Sequence, residues 1–358
     1  SIDNPNLYTE NDIVEIFIRA NAGGTLLGKS DLLFSLLTSS WDEADDNMED
    51  ILDEINKTGY KFNRDFILKT CLTIFGKGAA YNVEKFRDAT TKDNIINNWK
   101  DISDSIKDVK DYIYGKTFLR TDETLPSYLA LIPLIYYRYH YKDKWTSTIG
   151  IQEYLLRTLL AGAFSGSPDT LIDKCIKKID EQKQFNTNEI FGVIRAEGRN
   201  LEISKDTILE TFYGSKEIHL LFNMWYDFNY QPSYYQNKPQ VDHIFPQSKL
   251  KKIKIANQST GKMNVMKYKA EQRDQIANCM LLTAQENGAG EKTDTLPELW
   301  FANKSKEYLE LHLIPDNKEL WKIENFEGFV EERKKMILNK FDGIIIKPTV
   351  RVATNVIA

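Results

Sequence analysis

Six residues, Ile95, Trp99, Ile102, Ile106, Val109 and Ile113, recur in alternating steps of four and three. That spacing lays one apolar stripe along an α-helix, because a turn takes 3.6 residues. A lone stripe cannot hide from water, so it demands partner helices. Nearly every periodic segment between residues 43 and 227 is of this kind. Ser167-Pro168 reads as an N-cap followed by proline in the first turn, ahead of Leu171, Ile172, Cys175, Ile176 and Ile179. The spacing predicts a helical bundle.

The most apolar stretch, Leu125 to Tyr141, contains Pro126, Pro133 and Arg138. It is too short and too polar to span a bilayer, and is expected to be a buried helix. No basic-then-apolar leader opens the chain, and no membrane partner is expected. The three cysteines, Cys71, Cys175 and Cys279, lie far apart without metal-ligand spacing, consistent with a reducing cytoplasm.

The chain has 358 residues, long for one core, so two or three units are expected. After Asp227 the stretch FNYQPSYYQNKPQ has no helical period and reads as a linker. Beyond it come a β-like run into His243, a lysine-rich stretch, a second β-like run over Asn278–Thr283, and helices carrying Phe326, Phe329, Val330, Ile337 and Phe341. At the other end, Ile13, Ile16, Phe17 and Ala20 form a helical face that stops at Asn21-Ala22-Gly23-Gly24. A second face of Leu32, Leu33, Leu36 and Leu37 follows. The expected fold is mainly α, a helical bundle followed by a C-terminal α+β domain. Its expected parts are residues 1–42, 43–227, 228–345 and a tail, 346–358.

The octapeptide VDHIFPQS, residues 241–248, sets an acid beside one of only four histidines and adds a proline. Phosphodiester hydrolysis needs a base for water and a cation for the charge that develops on phosphate and leaving oxygen. Histidine is mostly neutral at pH 7 and suits the first task. An aspartate and an asparagine oxygen suit a magnesium ion. Neighbours on a strand face opposite ways, so Asp242 and His243 converge only where the strand ends or bends, and Pro246 is consistent with such an exit. Downstream, Asn278 opens the second β-like run and Asn287 follows nine residues later. His140, His219 and His312 have no such company and read as structural or surface residues.

VDHIFPQS followed by Asn278 and Asn287 resembles the HNH, or ββα-metal, nucleases, including the HNH domain of RNA-guided CRISPR nucleases. With the other end of the chain, it most resembles the GmrSD-type restriction family. The resemblance implies that His243 is the general base and that Asp242 and Asn287, at the start of a helix, hold Mg²⁺ or Mn²⁺. It also implies that Asn278 holds the histidine-bearing loop by hydrogen bonds and that Lys292 contacts phosphate. The insertion Lys249–Ala277 is longer than in compact HNH domains.

Lys249, Lys251, Lys252, Lys254, Lys262, Lys267, Lys269 and Arg273 crowd that insertion, in a chain of formal charge −5. Such a local cluster would attract a DNA backbone with strong salt dependence and little reading of sequence. The segment EIFIRANAGGTLLGKSDLLFSLL, with Phe17, Arg19, Asn21, Gly23, Gly24, Leu27, Ser30 and Asp31, resembles the last piece of the ParB-like NTPase domain of GmrSD proteins. The upstream Asp-Gly-Gln-Gln-Arg motif of that domain is not in this sequence, so no complete NTPase is expected and the N-terminal NTPase half is an expected partner.

The expected function is a metal-dependent DNA endonuclease or nickase of a modification-dependent restriction or phage-defence protein, acting on DNA that includes modified phage DNA. The alternatives are a catalytically silent nucleic-acid-binding or regulatory module with an HNH fold, and an RNA-directed HNH nuclease.

Overall fold

The structure is a computed structural model and describes residues 29–81, 85, 88–226, 240–283, 285–287 and 292–345. The expected NTPase remnant up to residue 28, the linker 227–239 and the tail 346–358 lie outside the described residues. The chain divides into two compact units, Ser1–Leu201 and Glu202–Ala358. The texture change in the sequence lies at residue 227; two helices before it, over residues 205–226, belong to the second unit.

Among its described residues the first unit is helical, without a strand. Its helices are α1 (Lys29–Thr38), α2 (Ala44–Asn56), α3 (Arg64–Ile74), α4 (Ala89–Asn97), α5 (Trp99–Lys116), α6 (Ile132–His140), α7 (Lys142–Trp145), α8 (Ile151–Leu160), α9 (Asp169–Gln182) and α10 (Thr187–Ala196). Of the apolar stretch Leu125–Tyr141 only Ile132–His140 becomes an α-helix, α6, which packs on α3, α5 and α9 and is buried from Ile132 to Arg138. Burial on so many sides explains why it lacks a polar face. Its one charge, Arg138, reaches Asp108 through Nε at 2.6 Å.

The long stripe is split between two helices. Ile95 sits in α4, whereas Ile102, Ile106, Val109 and Ile113 are buried along α5. The break falls at Asn98, whose side chain turns back to donate to the Asn94 carbonyl at 2.8 Å, a competition with helical pairing typical of asparagine. Before α9 the N-cap position is Pro168, one residue later than the sequence suggests. Gly150, at φ 82°, precedes α8 where a Cβ would run into the Thr187 hydroxyl.

The second unit mixes short elements. They are α11 (Lys205–Leu209), α12 (Lys216–Tyr226), β1 (Gln240–His243), α13 (Gln247–Leu250), β2 (Lys254–Ala256), β3 (Met263–Met266), α14 (Ala270–Arg273), β4 (Cys279–Leu282), α15 (Pro297–Trp300), α16 (Lys306–Leu311) and α17 (Phe326–Lys340). Strands β1 and β4 pair antiparallel, with Asp242 opposite Met280 and His243 opposite Cys279. Strands β2 and β3 form a separate hairpin. β4 is buried at all four residues, which gives it the unbroken apolar run CMLL in place of an alternating one.

Phe245, just past β1, meets Phe326 and Phe329 of α17 at 5.3 and 5.1 Å between ring centroids. Arg333, also on α17, is fully buried. It donates to the carbonyls of Ile276, Ala277 and Cys279 at 3.3, 2.9 and 2.7 Å, and to those of His312 and Leu313 at 3.0 and 3.1 Å. One guanidinium thus holds the segment that leads into β4. No helix among the described residues is long and apolar enough to cross a membrane.

Candidate active site

Strand β1 ends at His243, and the next residues are tied to Asn278 instead of continuing the ladder. Ile244 N–H donates to the Asn278 carbonyl at 2.8 Å and Phe245 N–H to Asn278 Oδ1 at 2.9 Å. Asn278 Nδ2 returns bonds to the carbonyls of Phe245 and Arg273 at 3.2 and 2.8 Å. This side chain is wholly buried, and only an amide offers both an acceptor and two donors for such a cross-tie.

Lys292 holds the same turn from another direction. Its ammonium lies 2.8 Å from the His243 carbonyl, 3.1 Å from that of Ile244 and 3.4 Å from Asp242 Oδ2. The residue is 0% exposed. Its ammonium is spent on these three internal oxygens, whereas resemblance implies a contact with phosphate. Lys292 is a fastener of the loop, and burial lowers its pKa while Asp242 opposes that shift.

His243 is almost buried. Its Nε2 lies 3.0 Å from Asp274 Oδ1, and Gln247 donates to the same oxygen at 2.7 Å. A carboxylate only accepts, so the proton of the neutral ring sits on Nε2 and Nδ1 carries the lone pair. The Tyr213 ring covers the imidazole, with centroids 4.3 Å apart. Burial pushes the His243 pKa below its ordinary value, against the opposing pull of Asp274 and Asp242. The ring thus stays neutral, and able to take a proton, to lower pH than a free histidine.

Asp274 and Tyr213 are placed by one small piece of pairing. Tyr213 N–H donates to the Asp274 carbonyl at 2.6 Å, Ile276 N–H donates to that of Thr211 at 3.0 Å, and Phe212 bridges Gln275. Both residues were missed by sequence reasoning. Tyr213 lies among helices on the N-terminal side of the expected boundary, and Asp274 lies in the lysine-rich insertion. The insertion folds as the β2–β3 hairpin and α14, and its end delivers Asp274 to His243. The cue available in the sequence was Gln247, which touches His243 and Asp274 and belongs to the octapeptide itself.

Asp242 is less engaged. Its Oδ2 is buried and has no hydrogen-bond partner among the described residues, with Lys292 as its ion pair. Asn287 lies in a turn, its N–H donating to the Thr283 carbonyl at 3.0 Å, and the next helix described begins at Pro297. Its Nδ2 donates to Gln240 Oε1 at 2.6 Å. Gln240 and Asp242 are two apart on β1 and share a face, so Asn287 stands on the Asp242 side of the strand. Among the described residues no group of three or more histidine, cysteine, aspartate and glutamate side chains is arranged to hold a metal.

Residues 249–269 contain seven lysines and no acid. Lys251 and Lys252 are exposed, and Lys249 and Lys254 are partly so. Lys251 is tied back to Gln247 Oε1 at 2.9 Å, and Lys267 pairs with Glu327 at 3.1 Å. Arg273 is buried, donating to the Tyr268 carbonyl, and drops out of the basic surface. Two other histidines bond within the fold: His140 meets the Ile74 carbonyl, and His312 meets the Tyr226 hydroxyl.

Residues 197–340 match the family model of the GmrSD restriction endonucleases, C-terminal domain. The match takes in α11 and α12 as well as β1 to α17. No curated protein matches the chain. Over residues 197–340 the chain is thus similar to the C-terminal domain of the GmrSD restriction endonucleases.

Proposed function

From that premise we propose that the second unit is a metal-dependent DNA endonuclease or nickase of the HNH type. It would be the nuclease part of a modification-dependent restriction or phage-defence protein. The observation that carries the reading is the His243–Asp274 pair at the end of β1, locked by Asn278 and Lys292. Nδ1 of His243 takes the proton of the attacking water. The imidazolium that results is stabilised by Asp274, which also fixes the tautomer.

Asp242 and Asn287 would hold a magnesium or manganese ion. The fit rests on Asp242, whose buried Oδ2 has the Lys292 ammonium at 3.4 Å but no hydrogen-bond partner among the described residues, and on Asn287, whose bond to Gln240 uses the amide nitrogen and leaves its oxygen uncommitted among the described residues. Both are the hard oxygen donors that such ions prefer. When bound, the ion neutralises charge on the phosphate and the leaving oxygen. Lys249, Lys251, Lys252 and Lys254 supply local positive charge for the DNA backbone.

Nicking of supercoiled plasmid with Mg²⁺ or Mn²⁺ is the test. His243→Ala is expected to lower the rate by at least about 100-fold, the usual worth of a positioned base. Full activity in that variant sinks the mechanism. A silent nucleic-acid-binding module is favoured by one observation, the small number of candidate metal donors, and predicts salt-sensitive DNA binding without cleavage. Parallel assays on RNA separate the RNA-directed reading.

A further inference from the structure

A cavity of about 550 Å³ opens beside His243. Phe212 and Tyr213 line it from one segment, Asp274 from the paired segment, and Glu210 and Glu271 add two more carboxylates. It shares two residues with the site already described. Asp274 binds His243 through Oδ1, and Tyr213 covers the imidazole ring. A molecule in the cavity therefore touches the two side chains that hold and cover His243, at the distance of a neighbouring nucleotide and not of the phosphate attacked from Nδ1.

Two features define what fits. Phe212 and Tyr213 are 56% and 42% exposed, although both are held in place by the pairing with Asp274–Ile276. Exposed aromatic rings on a backbone held by pairing are a stacking platform, and every nucleobase offers a flat π-face to one. Among the described residues no lysine, arginine or histidine lines the cavity. Its carboxylates repel phosphate and accept hydrogen bonds from N–H donors such as an exocyclic amino group.

We infer that the cavity receives an unstacked nucleobase with an exocyclic amino group, from a nucleotide flanking the phosphate cut at His243. This rests on the nuclease reading of His243. The substrate is then DNA with a locally unpaired or extruded nucleotide, because a base inside the duplex stack cannot reach such a pocket. The lysine-rich hairpin and the cavity divide the work, with cations for backbone and aromatics with carboxylates for one base.

The test measures binding by fluorescence anisotropy with the full chain in EDTA, so cleavage plays no part. The probes are a fully paired duplex and duplexes with one bulged adenine, one bulged cytosine or one bulged abasic site. Wild type is expected to bind the adenine and cytosine bulges at least about fivefold tighter than the paired and abasic probes, the low end of a single stacking contact. Phe212→Ala, at an exposed position, should lose that preference, and Phe212→Tyr should keep it. Equal binding of all four probes by wild type overturns the inference, as does an undiminished preference in Phe212→Ala. Failure of the nuclease reading shows separately, as absence of nicking or as full nicking by His243→Ala.

Discussion

The two units bury charge in different ways. In the first, buried cations face carboxylates: Lys69 reaches Asp169 at 2.6 Å and Arg138 reaches Asp108, at the margin of a core made of helix stripes. In the second, Arg333 spends its guanidinium on five backbone carbonyls and no carboxylate. Lys292 spends most of its ammonium on two more. The bundle draws its order from periodic apolar surface, which is redundant. The second unit has short strands and short helices, and a few polar side chains replace the missing regular pairing. Each of these is hard to replace, because losing it strands several buried acceptors at once.

The sharpest way to break the comparison is Arg333→Met. Stranding five carbonyls is expected to destabilise the second unit by at least about 3 kcal/mol, with the first unit unchanged. Urea melts followed by hydrogen exchange should show early opening of residues 276–282 and normal protection in α6. Equal loosening of both units would erase the distinction.

Acid should separate the two units next. His312 is wholly buried, and burial lowers its pKa from 6.5 to about 3. The unfolded chain takes up that proton first, so the stabilisation is fully present above about pH 6.5 and drains away as pH falls toward 3. The expected loss is on the order of a few kcal/mol, confined to the second unit. Thermal melts from pH 7 to pH 4 with His312→Gln alongside check it, since the variant should show a flatter profile.

The smallest expected effect belongs to the bundle. Ile135→Val in α6 removes one methylene from a position 1% exposed and should cost about 1 kcal/mol, as such trimming usually does. A shift in the urea midpoint at constant slope measures it. A loss approaching that of Arg333→Met would mean that the bundle too depends on single contacts.

Much of the first unit was legible because helix periodicity is local. The stripe of α5 and the buried run of α6 follow from spacing alone, and the misjudged details were a break at Asn98 and a cap at Pro168, where one side chain or one residue decides. The candidate site was legible only at its motif. Asp242, His243 and Asn278 sit together at the end of β1 and the start of β4, and short-range pattern suffices to name them. For Lys292 resemblance implies a contact with phosphate, and nothing local announces the three oxygen atoms around its ammonium.

By itself, then, the sequence determined the helical bundle and the place of the DHIFPQS motif, since both depend on residues a few positions apart. The tertiary structure alone decided that Asp274 partners His243, that Tyr213 covers it, and that Arg333 and Lys292 are internal fasteners. These contacts join segments about 20 to 60 residues apart. The folded backbone supplies the carbonyls and carboxylates that make burying those polar groups tolerable, and no run of neighbouring residues encodes such an arrangement.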